Sequence, residues 1–224
     1  MNMQANRGDW VNFFAILGLF FISMVLWSYL TGFVLKLSLP FYVNGFVQGL
    51  VLLSLSLLFR ASNESLIADY KLKVDKKLKV LVQGTTVGFL LAILMGISSW
   101  VLERLNLPIE DQAVASELAK VHGLSEFLPL FILVGIVVPI TEEVFFRGFC
   151  YRLFAESFGN RRGILLSGVF FGLMHFDLYR ALPLALAGIF LAWSYSRFNS
   201  LWVPIIAHST WNTIMALLIF GNVL

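Results

Sequence analysis

Residues 80–102, VLVQGTTVGFLLAILMGISSWVL, contain no charged side chain. A helix needs about 20 mostly apolar residues to cross the hydrocarbon core of a bilayer. Runs of this kind recur along most of the chain, which therefore reads as a multi-spanning membrane protein. We place spans at 12–36, 41–59, 80–102, 127–155, 163–177, 182–197 and 201–221. The segments 163–177 and 182–197 are short for a full crossing. Composition agrees: 59% of the 224 residues are hydrophobic, 22 are Phe and only 13% are charged, against about 25% charged in an ordinary soluble domain. The expected fold is an all-α polytopic membrane helix bundle, with about seven transmembrane helices around a polar cavity. We treat 1–224 as a single membrane domain, with N-terminal spans and a linker in 1–125 and the functional helices in 126–224.

The polar stretches set the organisation. Residues 60–79 carry most of the charge of the first half and read as a cytoplasmic linker with a surface helix. Residues 103–126 are polar and acidic, with room for a short helix. The first apolar run is too long for the core of a signal peptide and is followed by no A-x-A-like site, so it reads as a retained anchor. Most of the sixteen Lys and Arg fall on the side of the N-terminus when the spans are threaded in order. Basic residues are retained on the cytoplasmic side, which predicts a multi-pass protein of a bacterial cytoplasmic membrane with its N-terminus inside. The net charge of +3 reflects these lysines, and no nucleic-acid partner is expected. One cysteine, Cys150, permits no intramolecular disulfide and no multi-cysteine metal site.

Ionisable groups at membrane depth cost at least ~2.5–3.5 kcal/mol each on insertion scales. They occur here at three places: Glu142, Glu143 and Arg147 in PITEEVFFRGF, His175 in FFGLMHFD, and His208 with Asn212 in IIAHSTWN. Glu143 and Arg147 stand at i and i+4, the favourable order for an ion pair on one helix face. Glu142 points about 100° away and is left free. His208 and Asn212 share the i, i+4 spacing, as do Phe171 and His175. Pro139 removes a helix hydrogen bond just before the glutamates, which predicts a kink and room for water.

Each feature also has an ordinary explanation. A Glu–Arg pair ties helices together, a lone His or Asn bonds across an interface, and Phe171 packs like any other Phe of this chain. Together, an unpaired Glu, two His and an Asn on three spans suit water activation. Amide hydrolysis needs a base for the water and donors for the developing oxyanion. A serine mechanism has no strained elbow to support it, the H-E-x-x-H string of zinc proteases is absent, and no paired membrane aspartates exist. Glu142, His175 and His208 also satisfy the count for a two-His, one-carboxylate zinc site with an open position.

EEVFFR fits the pattern E-E-x-x-x-R, FGLMH fits F-x-x-x-H and HSTWN fits H-x-x-x-N. In this order, on successive apolar segments, they resemble the CPBP family of CAAX prenyl proteases and bacteriocin-processing (Abi) proteins. The resemblance covers residues 142–212. It implies an intramembrane glutamic endopeptidase with a water-filled cavity. Glu142 and His175 would activate water, and His208 and Asn212 would form the oxyanion hole. Glu143, Arg147 and Phe171 would support them. It implies no cofactor, with zinc at Glu142, His175 and His208 as the alternative, and a membrane-associated protein or peptide as substrate. A non-proteolytic role in bacteriocin immunity or as a scaffold, and less so an ion or proton transporter, remain the competing readings.

Overall fold

The computed structural model describes residues 7–59, 71–72, 76–105 and 112–223. In a bilayer each backbone N–H and C=O must find a partner within the protein, and a helix provides one for nearly all of them. The described residues form helices and connecting turns without strands. Six helices are long and apolar enough to cross a membrane: α1 Arg7–Val34, α2 Phe41–Leu58, α3 Lys77–Arg104, α5 Leu124–Phe158, α7 Ala181–Phe198 and α8, which crosses over Trp202–Gly221. Between α3 and α5 lies the short α4, Ala113–Leu118, within the polar stretch where a short helix was expected. Most of the linker at 60–79, with its expected surface helix, lies outside the described residues.

The segment expected to span at 163–177 differs. Its helix, α6, covers Asn160–Leu173. Its 14 residues reach about 21 Å, short of a hydrocarbon core of about 30 Å. After Leu173 the chain tightens into i→i−3 turn bonds from His175 N–H to Gly172 O and from Phe176 N–H to Leu173 O, and Phe176 then takes φ 52°, outside the helical region. His175 therefore sits in the turn after α6, not inside a span. α6 still runs across the bundle. At one end it turns from α5 through Gly159, whose φ of 87° suits glycine. Along its length it packs antiparallel to α7, where a side chain on Gly168 would lie 2.4 Å from the backbone N of Ile189 and one on Gly172 would lie 2.4 Å from the carbonyl of Ala181. Such small-residue contacts let membrane helices approach closely.

Relative directions follow from side-chain levels. α1 and α2 are antiparallel, joined by a Trp27 Nε1 donor to Asn44 Oδ1 at 3.0 Å. Gly45 meets Leu133, and Gly49 meets Val137 and Thr141, so α2 runs parallel to α5. Gly84 meets Val203 and Ile206, and Gly88 meets Ala207 and Thr210, so α3 runs parallel to α8. Passing directions alternate from α1 to α8 once α6 is counted as a pass.

α5 is not a uniform helix. π-helical runs at Leu133–Val137 and Val144–Cys150 bracket the α-helical Val138–Glu143. The first follows from Pro139. Val138 N–H bonds to Leu133 O, the wide i→i−5 pattern. In that register the carbonyl of Val134 would receive the N–H of residue 139, which proline lacks. The proline expected to kink the span thus leaves Val134 O without a helical partner. π-bulges of this kind concentrate at functional sites.

Candidate active site

The polar residues of α5, α6 and α8 meet beside this irregular stretch. Glu143 and Arg147 are fully buried, and Arg147 Nη1 donates to Glu143 Oε1 at 2.9 Å. Arg147 Nη2 donates to the carbonyl of Gly188 on α7 at 3.0 Å. The guanidinium carbon lies 4.7 Å from the centre of the Phe171 ring. The i, i+4 pair is therefore one part of a larger knot: a cation held by a carboxylate, a carbonyl and an aromatic face.

His208 joins the same carboxylate, a contact that spacing did not reveal. Its Nδ1 lies 2.9 Å from Glu143 Oε1. An ionised carboxylate only accepts, so Nδ1 carries a proton and donates. The imidazole is stacked on Trp211, with centroids 5.3 Å apart and planes 19° apart, and meets Phe171 edge-on at 6.0 Å. Trp211 thus fixes the His208 ring from the next residue but two. The signal available in the sequence was a Trp at i+3 from a membrane histidine.

His175 is oriented by a backbone group. Its Nδ1 lies 2.7 Å from Phe171 O. A carbonyl only accepts, so Nδ1–H donates to it and a neutral His175 carries its lone pair on Nε2. The Phe171 ring lies 4.7 Å from the imidazole. Phe171 therefore touches His175, His208 and Arg147, a larger part than general packing.

Asn212 fills the gap left by Pro139. Its Nδ2 donates to Val134 O at 2.8 Å. This contact restores the lost acceptor pairing of α5 and leaves Oδ1 and the second N–H of the amide.

Glu142 is different from its neighbour. Among the described residues it has no hydrogen bond or ion pair; Oε2 of both glutamates is buried without a hydrogen-bond partner, and what separates the two is that Glu143 Oε1 is held by Arg147 and His208. It lines a cavity of about 870 Å³ together with His175, His208 and Asn212. All four residues thus border one space, while Glu143 and Arg147 lie behind it.

Several other polar groups, outside the three motifs, border this cavity. Asp177 receives the backbone N–H of Arg180 at 3.0 Å and its Nη1 at 2.6 Å. Burial opposes the charge of Asp177, but the Arg180 contacts outweigh it and hold its carboxyl below the usual range. Asp177 therefore stays ionised and engaged at neutral pH. Gln48 is the polar member of an α2 stripe of cavity-lining residues, Phe41, Gly45, Gln48, Gly49 and Leu52. An amide one turn beyond Asn44 in an apolar span was the signal for it. Among the described residues no three of His, Cys, Asp or Glu are grouped as a metal site.

Residues 124–214 match the family model of the type II CAAX prenyl endopeptidase, Rce1-like. The chain is 36% identical over 92 residues to the "Putative membrane peptidase YdiL" of Bacillus subtilis (strain 168), an alignment that covers 41% of this chain and 38% of that protein. It is 33% identical over 82 residues to the UPF0177 protein YxdF of Lactococcus lactis, covering 36% of this chain and 44% of that protein. The chain thus spans less than half the length of these relatives. No solved structure matches. The CPBP resemblance carried by the three motifs is borne out over the segment that contains them.

Proposed function

Starting from this Rce1-like segment, we propose that the chain is an intramembrane endopeptidase. It hydrolyses a peptide bond of a membrane-associated protein or peptide with water activated by Glu142 and His175. The observation that carries the reading is the division of labour between adjacent carboxylates. Glu143 holds Arg147 and His208 through its Oε1, whereas Glu142 borders the cavity with no partner among the described residues. A base must be free to take a proton, and Glu142 alone of the two is. A neutral His175, with its proton on Nδ1, offers Nε2 as an acceptor to orient the same water.

In this reading the oxyanion is held from the opposite side by Asn212 and His208. Asn212 donates with the amide proton that Val134 does not use. His208 already gives its Nδ1–H to Glu143, so donation from Nε2 requires the imidazolium form. Asn212→Ala is expected to lower the cleavage rate by about 10²–10³, as for one oxyanion donor. It also removes the Val134 contact, so thermal unfolding must be measured beside the rate. A rate within threefold of wild type removes Asn212 from the mechanism.

The test of the function is a comparison of membrane peptides from cells with and without the gene. New peptide termini that depend on the chain are its expected products. An unchanged set of termini, with the phenotype of the gene intact, favours an immunity or scaffold role instead. The mechanism uses no metal. Elemental analysis of the purified protein is expected to find no stoichiometric zinc, and one zinc per chain that disappears in Glu142→Ala would replace this mechanism with the zinc-dependent one.

A further inference from the structure

The two ends of the bundle differ sharply in charge, and the cavity reaches only one of them. One end holds the α5–α6 turn at Gly159 and the α7–α8 turn at Asn199. Trp202 Nε1 donates to Leu72 O at 3.0 Å, which brings the linker segment 71–72 to this end. Here lie Lys76, Lys77 and Lys79 at the start of α3, and Arg152, Arg161 and Arg162 around the α5–α6 turn. Arg7, Lys71 and Arg197 complete nine basic residues among those described, against the described Asp9 and Glu156. The other end holds the α1–α2 connection, α4 and the 174–180 turn. Its described charges are Lys36, Arg104, Lys120 and Arg180 against Glu103, Glu117, Glu126 and Asp177, four of each sign.

The cavity is lined from this neutral end. Phe41 at the start of α2, Gln112 to Ala115 with Leu118, His175 to Arg180 and Ile219 near the end of α8 all border it. Toward the basic end the bundle is filled by aromatic side chains. Trp10 packs on Phe154 at 6.0 Å and on Phe158 at 6.1 Å, and Phe154 meets Phe170 at 6.2 Å. Among the described residues, none of those in the Gly159 and Asn199 turns lines the cavity.

Lys and Arg near the ends of spans set which side stays in the cytoplasm. We infer that the basic end is cytoplasmic and that the cavity holding Glu142 therefore faces away from the cytoplasm. Its substrate is a polypeptide segment presented on the outer face: an exported peptide, or the outer juxtamembrane stretch of an anchored protein. This substrate class rests on the endopeptidase reading; the orientation does not.

Thiol labelling in intact cells separates the two. The native Cys150 is buried, so the wild-type chain serves as the blank. Leu178→Cys marks the cavity end, where Leu178 is 86% exposed, and Phe158→Cys marks the basic end, where Phe158 is 46% exposed. Leu124→Cys and Leu78→Cys provide a second pair, at positions 66% and 74% exposed, should either of the first fail to fold. All four keep every charge in place. A membrane-impermeant maleimide applied to intact protoplasts is expected to label the cavity-end thiols at least tenfold faster than the basic-end thiols, which react only after lysis. The reverse pattern, or equal labelling of both ends, overturns the orientation and leaves the hydrolase reading standing. The chain-dependent peptide termini test the substrate class. Cleavage sites in outer segments support it and sites in cytoplasmic segments overturn it. No chain-dependent termini at all removes the hydrolase reading, and the substrate class with it, while the labelling result stands.

Discussion

Glu142→Gln abolishes cleavage and leaves the bundle intact: this is the expected outcome for the most informative substitution in the chain. Glutamine keeps the size and shape of the side chain and loses the ability to accept a proton. Loss of a general base costs about 10²–10⁴ in rate. The structural cost is small, because Glu142 makes no hydrogen bond or ion pair with a described residue. The amide can occupy the same place at the cavity wall. The measurement is the rate of cleavage of a synthetic peptide that spans a junction recovered from the membrane-peptide comparison, with thermal unfolding in detergent as the control. Unimpaired cleavage by Glu142→Gln sinks the mechanism despite the geometry. His175→Ala should resemble it in rate. His175→Gln is more diagnostic, since a glutamine amide retains a group that accepts a hydrogen bond from water and should recover part of the loss if His175 only orients that water.

Much of this arrangement was legible in the residue order, and the rest was hidden for physical reasons. Apolar runs record how long a segment can remain in lipid, so the spans appear within a few residues of their ends. They do not record where a helix stops. Met174, Phe176 and Leu178 continue the apolar run beyond Leu173, yet the helix ends there and Phe176 adopts a left-handed backbone. Helical spacing finds contacts within one helix, hence Glu143 with Arg147 and Phe171 with His175. It is blind to contacts between helices. The His208–Glu143 bond joins residues 65 positions apart, and the Asn212–Val134 bond joins residues 78 apart. Pro139 was read as a source of a kink and of water. It is better understood as the cause of an orphan carbonyl at Val134, which needs a donor from another helix. That donor is a residue singled out for chemistry, so one side chain serves both packing and the site.

The second large effect is on stability. Arg147→Ala is expected to destabilise the bundle by about 3–5 kcal/mol, the usual result of removing one member of a buried ion pair. Both side chains of the pair are wholly buried, 2.9 Å apart. Alanine would leave Glu143 with His208 as its remaining partner and Gly188 O without its donor. It would also open a void against the Phe171 ring, where the guanidinium now lies. Poor expression and an earlier unfolding transition are the expected readouts, with lost activity as their consequence. A companion variant separates stability from chemistry. Glu143→Gln with Arg147→Met replaces the whole pair by uncharged groups of similar volume, and such replacements of buried pairs are often neutral or stabilising. The double variant should therefore recover much of the thermal stability. Activity should stay low, because a glutamine amide accepts the His208 Nδ1–H more weakly than the carboxylate that now orients the ring. An Arg147→Ala protein that folds and cleaves like wild type would show that the buried pair holds neither the helices nor the site, whatever its geometry.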